Sequence, residues 1–436
     1  MKTRFSFVSL LAVLGMLLAA CQPAATPAPT TAPVPTTVAA KPTAAPVVPT
    51  AAPVKLVMWT KEGGNQLDEV KAVVADFVKA NPNISVDVVN YDVEKLRENF
   101  QTSALAGTGP DMLWTVNDHA GVFALADLVQ PVDGLGVDTA QFVQAAYDAT
   151  LVDNQHYGIP LSYGNNLMLL VNKKLIAKVP ADTDEMVASA KDFMAKNPGS
   201  VGLAWNFGEP FWLVPWLGGE NGAVFADAGK TPTLNTPQMV AALTLLAKFK
   251  NTDKITPNDC DYACADTLFK DGKAAMIING DWSLGDYTNV TATKTIDLAI
   301  SAFPKIVGAD VPKPYTSGTY VMFPKDLAGD KLAAALKLTQ FFVSKDVQLK
   351  WIKDQKRLPS LQALYTDPAI TSDPILSQAA AALVAAGVGM PPFATMRCNW
   401  DSMKPNLQAV MAGSMTPADA AAASQKASES CIAQFK

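Results

Sequence analysis

Between Leu56 and Trp114 the spacing of apolar residues switches repeatedly between two periods, and this alternation constrains the fold more than any other feature of the chain. Leu56-Val57-Met58-Trp59 is a short unbroken apolar run, as a buried strand requires, and Lys61-Glu62-Gly63-Gly64 reads as the loop after it. Leu67, Val70, Val73, Val74, Phe77 and Val78 then recur three or four apart, the stripe of an amphipathic helix. Asn81-Pro82 ends that helix, because proline has no N–H with which to continue the ladder. Ile84, Val86 and Val88 alternate with Ser85 and Asp87 as a strand. A second helix is expected from about Val93 to Leu105, broken at Gly107 and Gly109, and Pro110-Asp111-Met112-Leu113-Trp114 is the next strand. Such alternation favours an α/β fold, a parallel sheet with right-handed crossovers. Ligands gather beyond the carboxyl ends of strands in open sheets of this kind, so the loop carrying Asn117, Asp118 and His119 is a place to look for binding groups.

The rhythm persists further on. Thr236-Pro237-Gln238 starts a helix with Val240, Leu243, Leu246 and Phe249 as its buried stripe. Ala274-Ala275-Met276-Ile277-Ile278 is a buried strand ending at Asn279-Gly280-Asp281-Trp282. Leu332, Ala335, Leu336, Leu338, Phe341 and Phe342 mark another helix, and Thr416-Pro417-Ala418-Asp419 caps an alanine-rich terminal one. There is no internal repeat.

The amino end has a different composition. Lys2 and Arg4 precede an apolar run from Phe5 to Leu18 that is short for a membrane span and reads as a secretion signal, residues 1–21. It closes on Leu18-Ala19-Ala20-Cys21, which resembles the lipobox of bacterial lipoproteins and makes Cys21 the expected site of lipidation. Residues 22–54 are dominated by proline, alanine and threonine, with no aromatic residue and almost no charge, a segment expected to act as a semi-rigid spacer near polyproline II. The remaining body, about 380 residues from Lys55, is long enough for two lobes.

A formal net charge of −5 from only 17% charged residues offers no concentrated basic patch for nucleic acid. After Cys21, four cysteines remain: Cys260, Cys264, Cys398 and Cys431. Two disulfides would use them all, in one of three pairings between which sequence does not choose. The favoured one joins Cys260 to Cys264, close enough for a local clip, and Cys398 to Cys431. Cys260-Asp-Tyr-Ala-Cys264 lacks the tight spacing of a zinc site and has no nearby histidine, so neither metal nor cofactor is expected.

Catalytic readings are poorly supported. Two histidines, His119 and His156, are too few for a histidine-rich metal centre, and Pro160-Leu161-Ser162-Tyr163-Gly164 has proline where a nucleophile elbow needs glycine. Paired carboxylates of a glycosidase could be drawn from Asp111, Asp118, Glu209 and Asp281, but acids beyond strand ends bind hydroxyls equally well. More informative are aromatic residues beside polar ones: Glu209-Pro210-Phe211-Trp212, Asp281-Trp282 and Arg397-Cys398-Asn399-Trp400-Asp401. Each sets a flat apolar face next to a charged group, and a sugar ring needs both.

In order along the body, these stretches resemble the maltose-binding-protein branch of the extracellular solute-binding proteins. The resemblance rests on Leu56-Val57-Met58-Trp59, Gly109-Pro110-Asp111 with Asp118, Tyr157-Gly158-Ile159-Pro160, Val171-Asn172-Lys173, Glu209-Pro210-Phe211, Ala275-Met276-Ile277-Ile278-Asn279-Gly280 with Trp282, and Trp400. It implies a two-lobed periplasmic-binding-protein fold of the second type: residues 55–162 with 314–358 as one lobe, 163–313 with 359–436 as the other, and a hinge of three crossings near 162–164, 304–315 and 358–360. By motif position, Asp118 and Glu209 would bind hydroxyls, and Phe211, Trp282 and Trp400 would stack on sugar rings. Lys61, Glu62, Asn165, Arg397 and His119 are further ligand-binding candidates. His119 stands where the maltose receptor has arginine, Thr115 where it has an aromatic, Gly164-Asn165-Asn166 where a glutamate is expected, and Phe211 where it has tyrosine; the sugar class is kept and maltose itself put in question.

The implied protein is a monomeric, non-enzymatic receptor, lipid-anchored to the outer face of the cell membrane, that delivers a di- or oligosaccharide to the permease subunits of an ABC importer. The alternatives are the same fold selecting a polyamine, a phosphodiester or a metal chelate, and an exported glycoside hydrolase.

Overall fold

A computed structural model describes residues 52–288 and 296–435. The secretion signal, Cys21 and nearly all of the spacer lie outside the described residues. The spacer expected to reach Val54 gives way there, because Val54 already pairs with Ile84.

Two sheets organise the body. Their strands are β1 (Val54–Thr60), β2 (Ile84–Asn90), β3 (Met112–Val116), β4 (Ile159–Pro160), β5 (Leu167–Asn172), β6 (Val201–Ala204), β7 (Ala274–Gly280), β8 (Leu298–Ser301) and β9 (Thr319–Met322). The first sheet has the order β2-β1-β3-β9-β4, with β1 parallel to β2 and β3, and β9 antiparallel to β3. The second has the order β8-β5-β7-β6, with only β6 and β7 parallel. Helices α1 (Gly64–Ala80) and α2 (Val93–Leu105) are the crossovers the alternation implied, and Val70, Val73, Val74 and Phe77 are the buried stripe of α1. The short helix α3 (His119–Leu125) starts directly after β3, where a loop was expected.

Each sheet carries its own core. Leu56, Met58, Trp114, Phe342 and Trp351 belong to the first, and Leu169, Trp205, Trp216, Phe249 and Ile277 to the second. Helix α4 (Pro237–Ala247) buries Met239, Ala242, Leu243 and Leu246, while Val240, expected in the stripe, is only half-buried. Thr236 caps it by accepting from the Met239 N–H at 3.2 Å. No helix among the described residues is long and apolar enough to cross a membrane.

Three segments link the sheets and lie side by side. The first, between β4 and β5, pairs with the other two: Gly164 with Ser317 and Ser162 with Pro359. The second was expected over 304–315, but that stretch stays with the second sheet, where Lys305 pairs with Asp182 and the Lys313 N–H donates to the Pro215 carbonyl at 2.9 Å. The passage falls instead at Thr316–Gly318, directly before β9. Beyond Pro359 the chain remains on the first core through Leu361, Leu364 and Ile370. It changes sides along the helix Pro374–Ala386, whose Leu376 and Leu383 join the first core and whose Ala379 and Ala382 join the second. A helix with leucine and alanine on adjacent faces can serve both cores, which is why the apolar pattern marked no boundary there.

Candidate functional site

Lys61 and Glu62 follow β1, and Asp118 follows β3, so all three stand at the carboxyl ends of neighbouring parallel strands. Glu62 is 1% exposed. Its Oε1 accepts from Trp114 Nε1 at 3.0 Å and pairs with the Arg357 guanidinium at 3.1 Å and Lys61 Nζ at 3.3 Å. Burial alone would push this carboxyl up, but the charges of Arg357 and Lys61 outweigh it and hold Glu62 at about 2. Its Oε2 is buried without a partner.

Asp118 behaves in the opposite way. Burial, reinforced by the Glu94 charge, pushes it up to about 6 against a hydrogen bond from Trp400. Its Oδ2 accepts from Trp400 Nε1 at 3.1 Å, while Oδ1 has no partner. His119, 2% exposed, has Nδ1 2.7 Å from Thr115 Oγ1, and burial lowers it to about 4, so the ring is neutral at pH 7. Glu94, on the first turn of α2, pairs with Arg97 and with Arg397.

The opposing wall is aromatic. The turn Pro210–Trp212 follows β6, and the turn Asp281–Ser283 follows β7. The Trp282 indole lies against Gly280, where a Cβ would come within 2.1 Å of the ring, so only glycine permits this placement. Ring centroids run from Tyr315 to Trp400 (6.3 Å), to Phe211 (6.5 Å) and to Trp282 (6.3 Å). Trp212 lies 6.2 Å from Trp282 and 6.3 Å from Tyr262. These spacings suit edge and tilted ring packing; Phe211, Trp212, Trp282 and Trp400 stay half-buried, whereas Tyr315 is buried.

Asp281 joins the walls. It is 4% exposed, and its Oδ2 occupies the space beside Gly164, where a Cβ would stand only 2.3 Å away. Burial raises its carboxyl above the ordinary range, while Arg357, Lys61 and the backbone N–H groups of Asn165 and Asn166 pull it down. Its Oδ1 has no partner.

The structure thus brings together Lys61, Glu62, Asp118, Phe211, Trp282, Trp400 and Arg397 from the residues expected at the site. The walls meet through Trp400 with Asp118, Arg397 with Glu94, Gln66 with the Trp282 carbonyl, and Asn65 Nδ2 with Asp286 Oδ1 at 2.9 Å. Glu209 is instead turned to Lys404 on its own side, and Asn165, at φ +48°, places Nδ2 3.3 Å from Ser317 Oγ on the crossing strands. His119 faces Thr115 and Phe123 inside the first lobe. Arg357, Glu94, Tyr315 and Tyr262 escaped sequence reasoning. Arg357 ends a basic helix terminus and Glu94 sits in an acidic first turn, and both patterns read as ordinary complements of helix dipoles. The cysteines form two close pairs, Cys260 with Cys264 and Cys398 with Cys431, with Cα atoms 5.3 and 5.6 Å apart.

Comparison with known proteins is consistent with this geometry. A family described as bacterial extracellular solute-binding protein matches residues 72–378. The maltotriose-binding protein of Pyrococcus abyssi is 24% identical over 328 residues, covering 74% of this chain and 70% of that protein. The galactooligosaccharide-binding protein of Bacillus subtilis is 24% identical over 328 residues, covering 72% of this chain and 75% of its own. Among solved structures, the maltose/maltodextrin-binding domain of Bdellovibrio bacteriovorus bound to maltotriose is 32% identical with a TM-score of 0.82, over 87% of this chain and 100% of that one.

Proposed function

The chain belongs to the bacterial extracellular solute-binding proteins, receptors rather than enzymes, and on that premise we propose that it captures an oligosaccharide in the cleft between its lobes for an ABC importer. The observation that carries the sugar reading is the pairing of unlike groups: a row of aromatic rings set against the buried carboxylates of Glu62 and Asp118 and flanked by that of Asp281, each of which keeps an unpartnered oxygen, Glu62 Oε2, Asp118 Oδ1 and Asp281 Oδ1. An unsatisfied buried acceptor costs about 1–3 kcal/mol, so a ligand that donates hydroxyls to these oxygens stabilises the closed arrangement over the open one. Differential affinity of this kind is what drives closure. Relatives that bind maltotriose and galactooligosaccharides support a neutral sugar of more than one unit.

In this reading Asp118, Glu62 and Lys61 bind hydroxyls from the first lobe, and Phe211, Trp282 and Trp400 stack on the rings from the second. Arg397 acts across the cleft, while Glu209 and Asn165 reach the ligand only after leaving Lys404 and Ser317. The two cysteine pairs are disulfides of an exported protein. Cys21 is lipidated, and the spacer holds the receptor near the permease subunits at the outer face of the membrane. A Cys21→Ser variant should leave the membrane fraction, and retention there would remove the anchor from this account.

The decisive measurement is isothermal titration of the full-length protein, in metal-free buffer, with glucose, maltose, trehalose, sucrose, cellobiose, maltotriose and galactooligosaccharides. Saturable micromolar or tighter binding to one of them is expected. Silence across the panel would overturn the sugar reading in favour of a non-sugar solute.

A further inference from the structure

Gly121 and Gly285 are buried helical glycines, and neither has the positive φ that favours glycine. Glycine inside a helix is less stable than alanine, so what demands it at these two places is close approach. Gly121 lies in α3, whose Ala120 and Phe123 pack with Leu113 and Met322 of the first sheet. A Cβ on it would stand 2.6 Å from the Ala394 nitrogen, 2.8 Å from the Phe393 carbonyl carbon and closer still to the Pro392 oxygen. Gly285 lies in the helix Leu284–Thr288, whose Leu284 and Tyr287 belong to the second core. A Cβ there would stand 2.8 Å from Gln355 Cα and 2.9 Å from the Gln355 oxygen. Gln355 ends the helix Lys345–Gln355, whose Trp351 and Ile352 pack in the first core. These distances fall inside the roughly 3.5 Å of an ordinary contact, and the opposing atoms are backbone, which cannot rotate away.

The two contacts are reciprocal, because each lobe offers one glycine to the main chain of the other. The segment 390–395 that meets Gly121 is held by the second lobe. Phe393 packs on Phe225 with ring centroids 6.2 Å apart, Thr395 Oγ1 donates to the Gly229 carbonyl at 2.6 Å, and Pro391 and Pro392 stiffen the chain between. Each seat also adjoins a place where the walls meet. Asp118, bonded to Trp400, immediately precedes α3, and the segment 390–395 runs into the helix Met396–Met411 that carries Arg397 and Trp400. Gly285 stands just before Asp286, which accepts from Asn65, and three residues after Trp282, whose carbonyl accepts from Gln66.

Resting on the reading of the cleft as the ligand site, we propose that Gly121 and Gly285 are positioning residues that act as the stops of lobe closure. Backbone against backbone at two points fixes the distance between the walls, and with it whether Asp118 and the rings engage one ligand together. The ligand contacts supply the drive, and the seats set where the movement ends. A methyl group at either seat wedges the lobes apart while leaving each wall intact. It therefore shortens the life of the closed complex without hindering capture by the open one.

The test follows binding of maltotriose and of galactooligosaccharides to the full-length protein by tryptophan fluorescence, in Gly121→Ala, Gly285→Ala, Thr395→Val and Gly389→Ala. Each of the first two should raise the dissociation rate about tenfold and leave association within about twofold. Small-angle scattering at saturating ligand should show both less compact than the unaltered protein. Thr395→Val loosens the segment that meets Gly121 and disturbs neither core, and its dissociation should quicken about threefold. Gly389→Ala serves as the control, since an added Cβ there meets no described atom within 4 Å beyond its chain neighbours, and it should bind like the parent. Melting of the ligand-free variants should stay within about 2 °C of the parent, because the seats form on closure. Parental dissociation rates in both glycine variants, or slowed association together with a lower ligand-free melting temperature, would overturn the stops and leave the sugar reading intact. If the unaltered chain bound neither ligand, both would fall together.

Discussion

In the proposed site the first lobe contributes Glu62, Glu94, Asp118 and Lys61, side chains that act through charge and hydrogen bonds, and the second contributes the half-buried rings of Phe211, Trp282 and Trp400, which act through area and shape. The two walls differ in how they respond to change. A buried charge held by a partner is expensive to orphan, so the first wall is coupled to folding. An aromatic ring half-buried at a rim contributes little to the core it edges, so the second wall is coupled to the ligand. Stability and affinity should therefore respond to mutation on opposite sides of one cleft.

The largest effect should come from Arg357→Met. It leaves Glu62 buried with Lys61 as its only remaining charge partner, and breaking such a pair costs about 3–5 kcal/mol. Denaturant unfolding of the variant would measure it, and a loss below about 1 kcal/mol would show that the cluster is better hydrated than its burial implies. The same network has a pH signature. Glu62 is held below its unfolded value of 4.5, so its contribution is complete above that pH and disappears as pH falls toward 2. In contrast, Trp282→Ala and Trp400→Ala should weaken sugar binding at least about tenfold, near 1.4 kcal/mol, with much smaller changes in melting temperature. Wild-type affinity in both tryptophan variants would remove the stacking wall from the site.

That contrast also explains which parts were legible in sequence. The aromatic wall was readable because tryptophan beside Asp281 or near Arg397 is an uncommon combination, although Arg397 and Trp400 lie on the helix Met396–Met411 and not in the loop after a strand that was expected. The strand–helix–strand opening and the caps at Thr236 and Thr416 were readable because they depend on neighbours in sequence. The charged wall was only half-visible: Glu62 finds Arg357 almost three hundred residues away, and no local pattern announces that contact. His119 was expected in the loop after the strand ending at Trp114, yet it opens α3 and turns into the lobe. The second crossing, implied by the resemblance over 304–315, was placed too early, because the backbone groups of that stretch bond to the second lobe.

A smaller effect should separate closure from contact. Arg397 reaches across the cleft to Glu94 and also pairs with Asp401 on its own helix, and all three are partly exposed. A partly solvated pair contributes at most about 1 kcal/mol. Because the bond to Glu94 exists only when the walls are together, Glu94→Gln and Arg397→Gln should each weaken ligand binding about threefold, and the double variant should be no worse than either single one. Full additivity in this cycle would mean that Arg397 acts on the ligand directly and not through the opposite wall.

The smallest effect is a cancellation between adjacent residues. Asp118 is raised from 3.8 to about 6, so between those values the folded protein holds a proton that the unfolded chain has released, and stability falls as pH rises. His119 is lowered from 6.5 to about 4, so over nearly the same range the unfolded chain holds the extra proton, and stability rises with pH. The two slopes have opposite sign, and their sum in the unaltered protein should be close to flat between pH 4 and 6. His119→Gln removes one of them and exposes the other: its stability should decline on going from pH 4 to pH 6. Unfolding curves at three pH values in that window are enough to check this. A variant as flat as the parent would mean that Asp118 is ionised at an ordinary pKa, in contact with water, and that the first wall is more open at this point than Trp400 allows.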